Sequence, residues 1–210
     1  MGLAQRREEE KQERIALILR AALRLFAEKG YSDCNMQDIA TAARLGKATL
    51  YYYFPNKEVL FRYLLREETA RFYQLAAEQV AQTATAGEAI EQLIHFYIDY
   101  FSSHPDLLHL FFPLGRSSPL IIKRDTNWQA EVNELRKPLE TRLYALFQSS
   151  PIKNPPDQVL KLLWTFLIGI SIKMVQDIPL DSIRQEAELF LQMHKEQFIS
   201  HKDSNHEENA

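Results

Sequence analysis

Apolar residues recur three or four positions apart along most of this chain, which is the spacing of helices with one buried face. The first such stripe ends at Gly30, in a helix-stop position. Further helices are predicted over 36–43, 47–53, 56–82, 90–101, 105–111, 128–146, 159–175 and 183–198. Gly is scarce, with 6 in 210 residues, so the composition also favours an all-α chain over one of many strands and turns.

The breaks between these helices are marked by Gly, Pro and Ser. Thr83–Gly87, Pro113–Pro119 and Ser149–Pro156 are predicted to be connections. Pro138 falls inside a long periodic segment and is expected to kink or split that helix. The polar residues from His201 onward predict a disordered tail.

Residues 1–13 are highly charged and lack apolar periodicity. They are predicted to form a solvated tail or the frayed start of a helix. The alternative is an arm that brings Arg6, Arg7 and Lys11 to phosphates, against the charge of the interleaved glutamates. The sequence leaves both possibilities open.

The stretch from Asn35 to Lys57 has a more specific pattern. It predicts a short helix capped by Asn35, a tight turn at residues 44–46 and a second short helix that Pro55 stops. Asn56 is placed to cap the helix that follows. Two short helices joined by a tight turn form the helix-turn-helix pattern, whose second helix enters the DNA major groove.

The residues at these positions closely resemble the DNA-binding signature of the TetR/AcrR family over about residues 12–62. The matching residues are Ala22, Leu25-Phe26, Lys29-Gly30-Tyr31, Gln37-Asp38-Ile39-Ala40, Ala43, Leu45, Lys47, Thr49-Leu50-Tyr51-Tyr52-Tyr53-Phe54 and Asn56-Lys57-Glu58-Val59-Leu60. The family usually has Gly at position 44 and Ser at position 46, where this chain has Arg44 and Gly46. If the turn requires a positive φ at 44, Arg costs about 1 kcal/mol relative to Gly.

The resemblance implies a three-helix helix-turn-helix domain at residues 1–55 and a helical ligand-binding and dimerisation domain at 56–200, followed by a tail at 201–210. It implies a repressor that a small apolar effector releases from a palindromic site on double-stranded DNA. The candidate DNA contacts are Asn35, Gln37, Arg44, Lys47, Ala48, Thr49, Tyr51, Tyr52, Tyr53 and Lys57.

Individual residue types in this set suit DNA for physical reasons. Lys47 can reach a base edge or a phosphate from the start of the second helix. Tyrosine hydroxyls donate to phosphates, and the backbone N–H groups near Lys57 lie at a helix start, which attracts a phosphate. The alternative is that Tyr51–Phe54 belongs to the core, but three consecutive tyrosines cannot all face one side of a helix.

Charge agrees with a DNA-binding end of the chain. Residues 1–57 hold ten Lys/Arg and seven Asp/Glu, a net charge of +3, whereas the whole chain carries −3. The remainder is therefore at −6, so a basic segment precedes an acidic body.

The body contains aromatic residues that are predicted to line an effector cavity, although ordinary core is the alternative. These are Tyr97, Phe101, Phe111, Trp128, Trp164 and Phe166. Residues 159–175 are apolar on nearly all sides, but Lys161 and Lys173 leave an uncharged run of only 11 residues. We therefore predict a homodimer through residues 157–200 rather than a membrane span.

Catalysis has little support in the sequence. His95 and Asp99 are spaced to share a metal, but a third ligand is not evident, so a surface pair is the alternative. We predict no enzyme activity, metal or cofactor. The single Cys34 excludes an internal disulfide, and the polar N-terminus is no signal peptide, which together favour the cytoplasm. The competing function classes are a helical protein-interaction module without DNA binding and, more remotely, a metal-dependent helical enzyme.

Overall fold

Every regular element in the described part of the chain is an α-helix, as the sequence predicted. The computed structural model describes residues 2–112, 126–149 and 154–198. The helices within them are α1 (Leu3–Lys29), α2 (Met36–Ala42), α3 (Lys47–Tyr53), α4 (Lys57–Val80), α5 (Ala86–Ser103), α6 (Pro105–Phe111), α7 (Thr126–Ser149), α8 (Pro156–Val175) and α9 (Leu180–Phe198). The predicted connection at Pro113–Pro119, most of the one at Ser149–Pro156 and the predicted tail lie outside these residues.

The chain divides into two units. The first holds Met1–Arg71 and His104–Val132, and the second holds Phe72–Ser103 and Asn133–Ala210. The chain therefore passes between the units within α4, between α5 and α6, and within α7. The functional division predicted after residue 55 concerns DNA and ligand binding, so this packing does not test it and it stays a prediction.

The core of the first unit is built on the predicted apolar stripe of α1. Ile18 and Ala22 are fully buried there, together with Ile39 of α2, Leu50 of α3 and Leu60 of α4. Two helices of seven residues each cannot bury a core by themselves, so α1 and α4 supply the surface that stabilises them. Burying one such Leu or Ile side chain contributes roughly 1.5–3 kcal/mol.

The core of the second unit is centred on α5, whose buried residues follow the helical period over its whole length. Phe72 contributes a ring that lies 5.3 to 5.8 Å from the rings of Phe96, Tyr97, Tyr100 and Phe101. Such ring pairs prefer tilted and edge-to-face arrangements, which most of these adopt. Residues from three other helices complete this core, namely Leu139, Leu143, Phe147, Leu163, Leu167, Ile170, Ile183, Ala187 and Leu191.

Two helix predictions need refinement. The charged residues 3–13 are helical and form the first turns of α1, which agrees with the helix-start alternative. The predicted split at Pro138 is wrong, because α7 continues from Thr126 to Ser149 through the proline. Leu139 and Leu143 are fully buried just beyond it, and this packing offsets the hydrogen bond that proline cannot donate.

Candidate nucleic-acid interface

The first helix of the motif begins with a reciprocal cap. The backbone N–H of Asp38 donates to the Asn35 side-chain oxygen at 2.9 Å, and the Asn35 N–H donates to an Asp38 carboxylate oxygen at 3.4 Å. Two backbone donors that the helix itself cannot satisfy are thereby paired. The predicted cap at Asn35 is therefore present, and it fixes where α2 starts.

The turn between α2 and α3 has the geometry that the sequence left open. Arg44 adopts a φ of 56°, in the left-handed region. The Leu45 N–H donates to the carbonyl of Ala40 at 2.9 Å, and the Arg44 N–H donates to that of Thr41 at 3.1 Å. These two bonds define a Schellman ending of α2, a position where glycine is the least strained residue. This chain therefore accepts strain at Arg44 and keeps an exposed guanidinium beside α3.

Helix α3 presents one apolar face and one exposed face. Leu50 and Phe54 are buried, as predicted, whereas Tyr52 is 82% exposed and Tyr51 is 40% exposed. Lys47 and Ala48 are also exposed, and Thr49 and Tyr53 are partly buried. The helix ends at Tyr53 before Pro55, and Asn56 caps α4 by accepting from the Val59 N–H at 2.9 Å.

The exposed face of α3 carries side chains that suit contacts with nucleic acid. Lys47 Nζ lies 5.9 Å from the centre of the Tyr51 ring, and the Tyr52 and Tyr53 rings meet edge to face at 5.2 Å. Ammonium and hydroxyl groups are donors for phosphates and base acceptors, while rings can contact thymine methyls. Gln37 on α2 is exposed as well.

Lys57 differs from the other predicted contacts because its ammonium is already bound inside the protein. Nζ donates to the carbonyl oxygens of Tyr31 and Cys34, both at 2.7 Å, and to that of Ser32 at 3.3 Å. It also lies 4.3 Å from the centre of the Tyr31 ring. The ammonium has three N–H donors, so this arrangement uses all of them. A phosphate at this position is left with the backbone N–H groups at the start of α4.

The six residues predicted to line an effector cavity are divided between the units. Trp128 is buried in the core of the first unit, and Phe111 packs against that core. Tyr97, Phe101, Trp164 and Phe166 belong to the second unit. There the Phe166 ring stacks on Phe190 at 3.9 Å. The shared cavity therefore stays a prediction.

The second unit contains buried polar groups that the sequence reasoning did not single out. The Ser171 hydroxyl donates to the Leu167 carbonyl at 2.9 Å, so the Tyr97 hydroxyl, 2.6 Å from Ser171 Oγ, is the donor of that pair. Burial raises the pKa of the Tyr97 hydroxyl, which keeps it protonated. Ser171 is the one serine within the apolar run of α8, and that was the signal available in the sequence.

A second polar group in this unit surrounds Trp164. The Arg136 guanidinium carbon lies 5.8 Å from the centre of the Trp164 ring, and Arg136 Nε lies 2.7 Å from a Glu140 carboxylate oxygen. Burial raises the pKa of Tyr73, whose ring lies 6.4 Å from that of Trp164. The Trp164 indole N–H is buried and has no acceptor within the described ranges. An unpaired buried donor is costly, so this position would gain from a ligand acceptor.

A separate apolar cavity of about 190 Å³ lies in the second unit and is lined by Ile90, Leu163 and Phe190, among others. None of the six predicted effector-lining residues borders it. Its wall includes the exposed Leu162 of α8, so it opens near the outer face of that helix.

The outer faces of α8 and α9 expose apolar side chains. Ile168 on α8 is 51% exposed, and Leu189 and Met193 on α9 are 56% and 68% exposed. By length and composition α8 could also cross a membrane, and 33% of its most apolar window is buried in the protein. The two helices contact each other and are joined by an ion pair between Lys173 and Glu186.

The predicted metal-spaced pair on α5 has other partners. His95 Nε2 lies 2.8 Å from Glu188, and the Arg184 guanidinium donates to Asp99 at 2.6 Å. Both contacts join α5 to α9, and no group of three possible metal ligands occurs among the residues that the structure describes. The surface-pair alternative therefore accounts for these two residues.

An all-helical chain with this capped, solvent-facing motif is a helix-turn-helix protein, and comparison with known proteins defines it more closely. Residues 18–64 match the family described as bacterial regulatory proteins, tetR family. The chain belongs to the TetR family of transcriptional regulators, as its sequence signature predicted. Membership in a family of regulators favours neither the enzyme alternative nor a module without DNA binding.

Relatives with curated descriptions are similar mainly in the N-terminal half. The HTH-type transcriptional repressor NicS of Pseudomonas putida is 29% identical over 113 residues, which cover 54% of this chain and 53% of that protein. The fatty acid metabolism regulator protein of Bacillus subtilis is 35% identical over 81 residues, 38% of this chain and 42% of the relative. The chain thus spans about half the length, or less, of these relatives.

Solved structures share the fold over most of the chain. The transcriptional regulator FadR of Bacillus subtilis, crystallised in complex with stearoyl-CoA, has a TM-score of 0.68 at 22% identity, covering 85% of this chain and 96% of that one. A TetR-family regulator from Marinobacter aquaeolei has a TM-score of 0.70 at 19% identity, covering 91% and 98%. At these identities the likeness defines the helical architecture alone.

Proposed function

We propose that this protein is a DNA-binding transcriptional repressor whose operator is read by α3. The observation that carries the proposal is the division of α3 into a buried face, made by Leu50 and Phe54, and an exposed face that carries Lys47 and Tyr52. The core prevents this helix from turning, so the exposed side chains are presented to DNA in a fixed arrangement. The description of NicS as a repressor supports the direction of regulation.

Substitution of Lys47 by Ala tests this proposal. A duplex selected from random sequences serves as the operator, and its affinity is measured by fluorescence anisotropy. If Lys47 contacts a base, we expect a loss of about 1–3 kcal/mol, or roughly 5- to 150-fold, confined to the selected site. If it contacts phosphate, all duplexes weaken alike and the salt dependence flattens. Lys137→Ala, which removes an equally exposed lysine from α7, is the matched control.

The exposed faces of α8 and α9 support a homodimer through residues 157–200. A second copy would cover Ile168, Leu189 and Met193, which are too exposed for ordinary core residues. A twofold pair also presents two recognition helices to one face of DNA, about 34–36 Å apart or a multiple of that, so the operator is expected to be palindromic. Because the partner is DNA, we place the protein in the cytoplasm.

Sedimentation at micromolar concentration tests the dimer. The double substitution of Ile168 and Leu189 by Glu is expected to give monomers with weakened operator binding. The control replaces Leu17 and Val59, apolar side chains that are 40% and 41% exposed in the first unit, by the same residue. A wild-type protein that sediments as a monomer would contradict the proposed interface.

The second unit is proposed to bind a small apolar effector that carries a hydrogen-bond acceptor. The aromatic cluster around Phe72 supplies apolar surface, and the unpaired indole N–H of Trp164 supplies a donor. Long-chain acyl-CoA thioesters head the panel to be tested, because one structural neighbour was crystallised with stearoyl-CoA and one relative is a fatty acid metabolism regulator. Aromatic carboxylic acids and neutral aromatic compounds complete the panel.

Effector binding is expected to weaken operator binding, and each ligand must lower the affinity of the other by the same factor. Couplings of this kind are typically about 1–3 kcal/mol, or 5- to 150-fold. Helix α4 begins next to the recognition helix and ends in the second unit, so it is the covalent route between the two sites. A compound that binds and leaves operator affinity unchanged would show that its site is not coupled to DNA.

A further inference from the structure

The first turns of α1 carry a basic stripe made of Arg7, Lys11 and Arg14. The spacings of four and three residues place the three side chains on one face of the helix. All three are exposed, and all three border one open groove of about 580 Å³ within the first unit. The α1 stripe is therefore part of a defined concave surface.

The opposite wall of the groove belongs to the recognition helix. It is formed by Thr49, Tyr52 and Tyr53 of α3, which are among the predicted DNA contacts. The groove thus combines guanidinium and ammonium donors from one helix with hydroxyl groups from another. These are the side chains that most often position a protein on the sugar–phosphate backbone of DNA.

Acidic residues limit the charge of this surface. Glu8 and Glu10 line the same groove, so its five charged residues carry a net charge of +1. Glu8 is held by local partners, because its Oε1 accepts from Gln12 at 2.8 Å and lies 3.7 Å from Lys11 Nζ. The groove would attract an anionic strand weakly, and removal of the two glutamates would strengthen that attraction.

We propose that this groove binds the sugar–phosphate backbone of one DNA strand beside the major groove that α3 occupies. This inference rests on the proposed function and extends the DNA interface from the helix-turn-helix to the N-terminal turns of α1. Arg7, Lys11 and Arg14 contact phosphates without reading bases. The groove therefore adds affinity for every sequence and leaves the preference among sequences to α3.

The test is the salt dependence of DNA binding in the triple variant R7Q/K11Q/R14Q. Each phosphate contact contributes about 0.9 to the slope of log affinity against log salt concentration. Loss of three contacts should reduce that slope by about 2.7, for the operator and for random duplexes alike. Between 50 and 200 mM salt, each lost contact removes about a 3.5-fold drop in affinity. The ranking of operator variants should stay the same.

The matched control is R6Q/R20Q/R24Q, which removes the same charge from exposed positions of α1 outside the groove. Circular dichroism should show that both variants remain helical. The reverse variant, E8Q/E10Q, should increase affinity for all duplexes at low salt and steepen the slope.

The outcomes separate the groove from the proposed function. Wild-type protein that binds its operator, with an unchanged slope in the triple variant, would overturn the groove and leave the function intact. Equal slope losses in the triple variant and the control would also overturn it, because they indicate long-range attraction by any cation of α1. Wild-type protein that binds no duplex would contradict the proposed function itself.

Discussion

Replacement of Lys57 by Met tests whether this residue stabilises the DNA-binding unit or contacts DNA. Methionine keeps the length of the side chain and removes the ammonium. The three carbonyls of Tyr31, Ser32 and Cys34 then lose their shared donor, and the Tyr31 ring loses a cation at 4.3 Å. The segment between α1 and α2 is thereby released from the start of α4.

The expected cost follows from these contacts. A hydrogen bond to a charged group contributes about 1.5–3 kcal/mol, and a partly exposed cation–π contact adds about 0.5–1 kcal/mol. Ser32 is exposed, so water replaces part of what is lost there, and we expect a net loss of about 2–3 kcal/mol. For a chain of this size that corresponds to a fall in Tm of roughly 4–12 °C.

The assay combines calorimetric melting without DNA and a salt titration of operator binding, with Lys47→Met as the matched control. Lys47 is exposed, so its replacement should change Tm little and weaken DNA binding. Lys57→Met should lower Tm and leave the salt slope unchanged. The reasoning is refuted if Lys57→Met melts like wild type while its slope falls by about 0.9, because that pattern indicates a phosphate contact.

Three further substitutions probe individual features. Arg44→Gly relieves the positive φ and should raise the free energy of unfolding by up to about 1 kcal/mol, yet weaken operator binding if the guanidinium contacts phosphate; chemical denaturation and anisotropy measure the two effects. Ser171→Ala leaves the buried Tyr97 hydroxyl without its acceptor and should cost about 1–3 kcal/mol, whereas Tyr97→Phe should cost only about 0.5–1.5 kcal/mol; urea denaturation compares them, and equal costs would contradict the assigned donor. Asn35→Ala removes the cap of α2 and should cost about 1 kcal/mol, seen as a shift in denaturation midpoint at constant m-value.

The helix-turn-helix could be predicted in detail because its signals are local. The cap at Asn35, the stop at Pro55 and the buried pair of Leu50 and Phe54 each depend on residues within one or two helical turns. The positive φ of Arg44 could be anticipated only through resemblance, since arginine itself carries no preference for that conformation.

Features that depend on distant residues escaped the sequence. The ammonium of Lys57 binds carbonyls 23 to 26 positions earlier, and no local pattern indicates that contact. The same holds for the aromatic residues of the body, because periodicity shows which side of a helix is buried but not which unit covers it. Phe111 and Phe101, ten residues apart, consequently belong to different units.

The continuity of α7 is a third case. Helix propensity predicted a break at Pro138, but Leu139 and Leu143 are buried immediately after it. Tertiary packing of an apolar face outweighs the unfavourable local residue, since most helical stability in proteins comes from such packing. Local rules describe the ends of helices better than their interiors when long-range burial opposes them.

Cations are bound at both ends of α4. Near its start, Lys57 holds three carbonyls of the preceding loop, and at its other end Arg142 donates to the carbonyls of Val80, Ala81 and Thr83 at 3.5, 3.1 and 2.8 Å. Helix ends are where backbone groups lack partners and where local opening begins. Amide hydrogens in the last turn of α4 should therefore exchange nearly as slowly as those at its centre. Arg142→Gln should restore the ordinary gradient of exchange toward that end and leave the first turn protected.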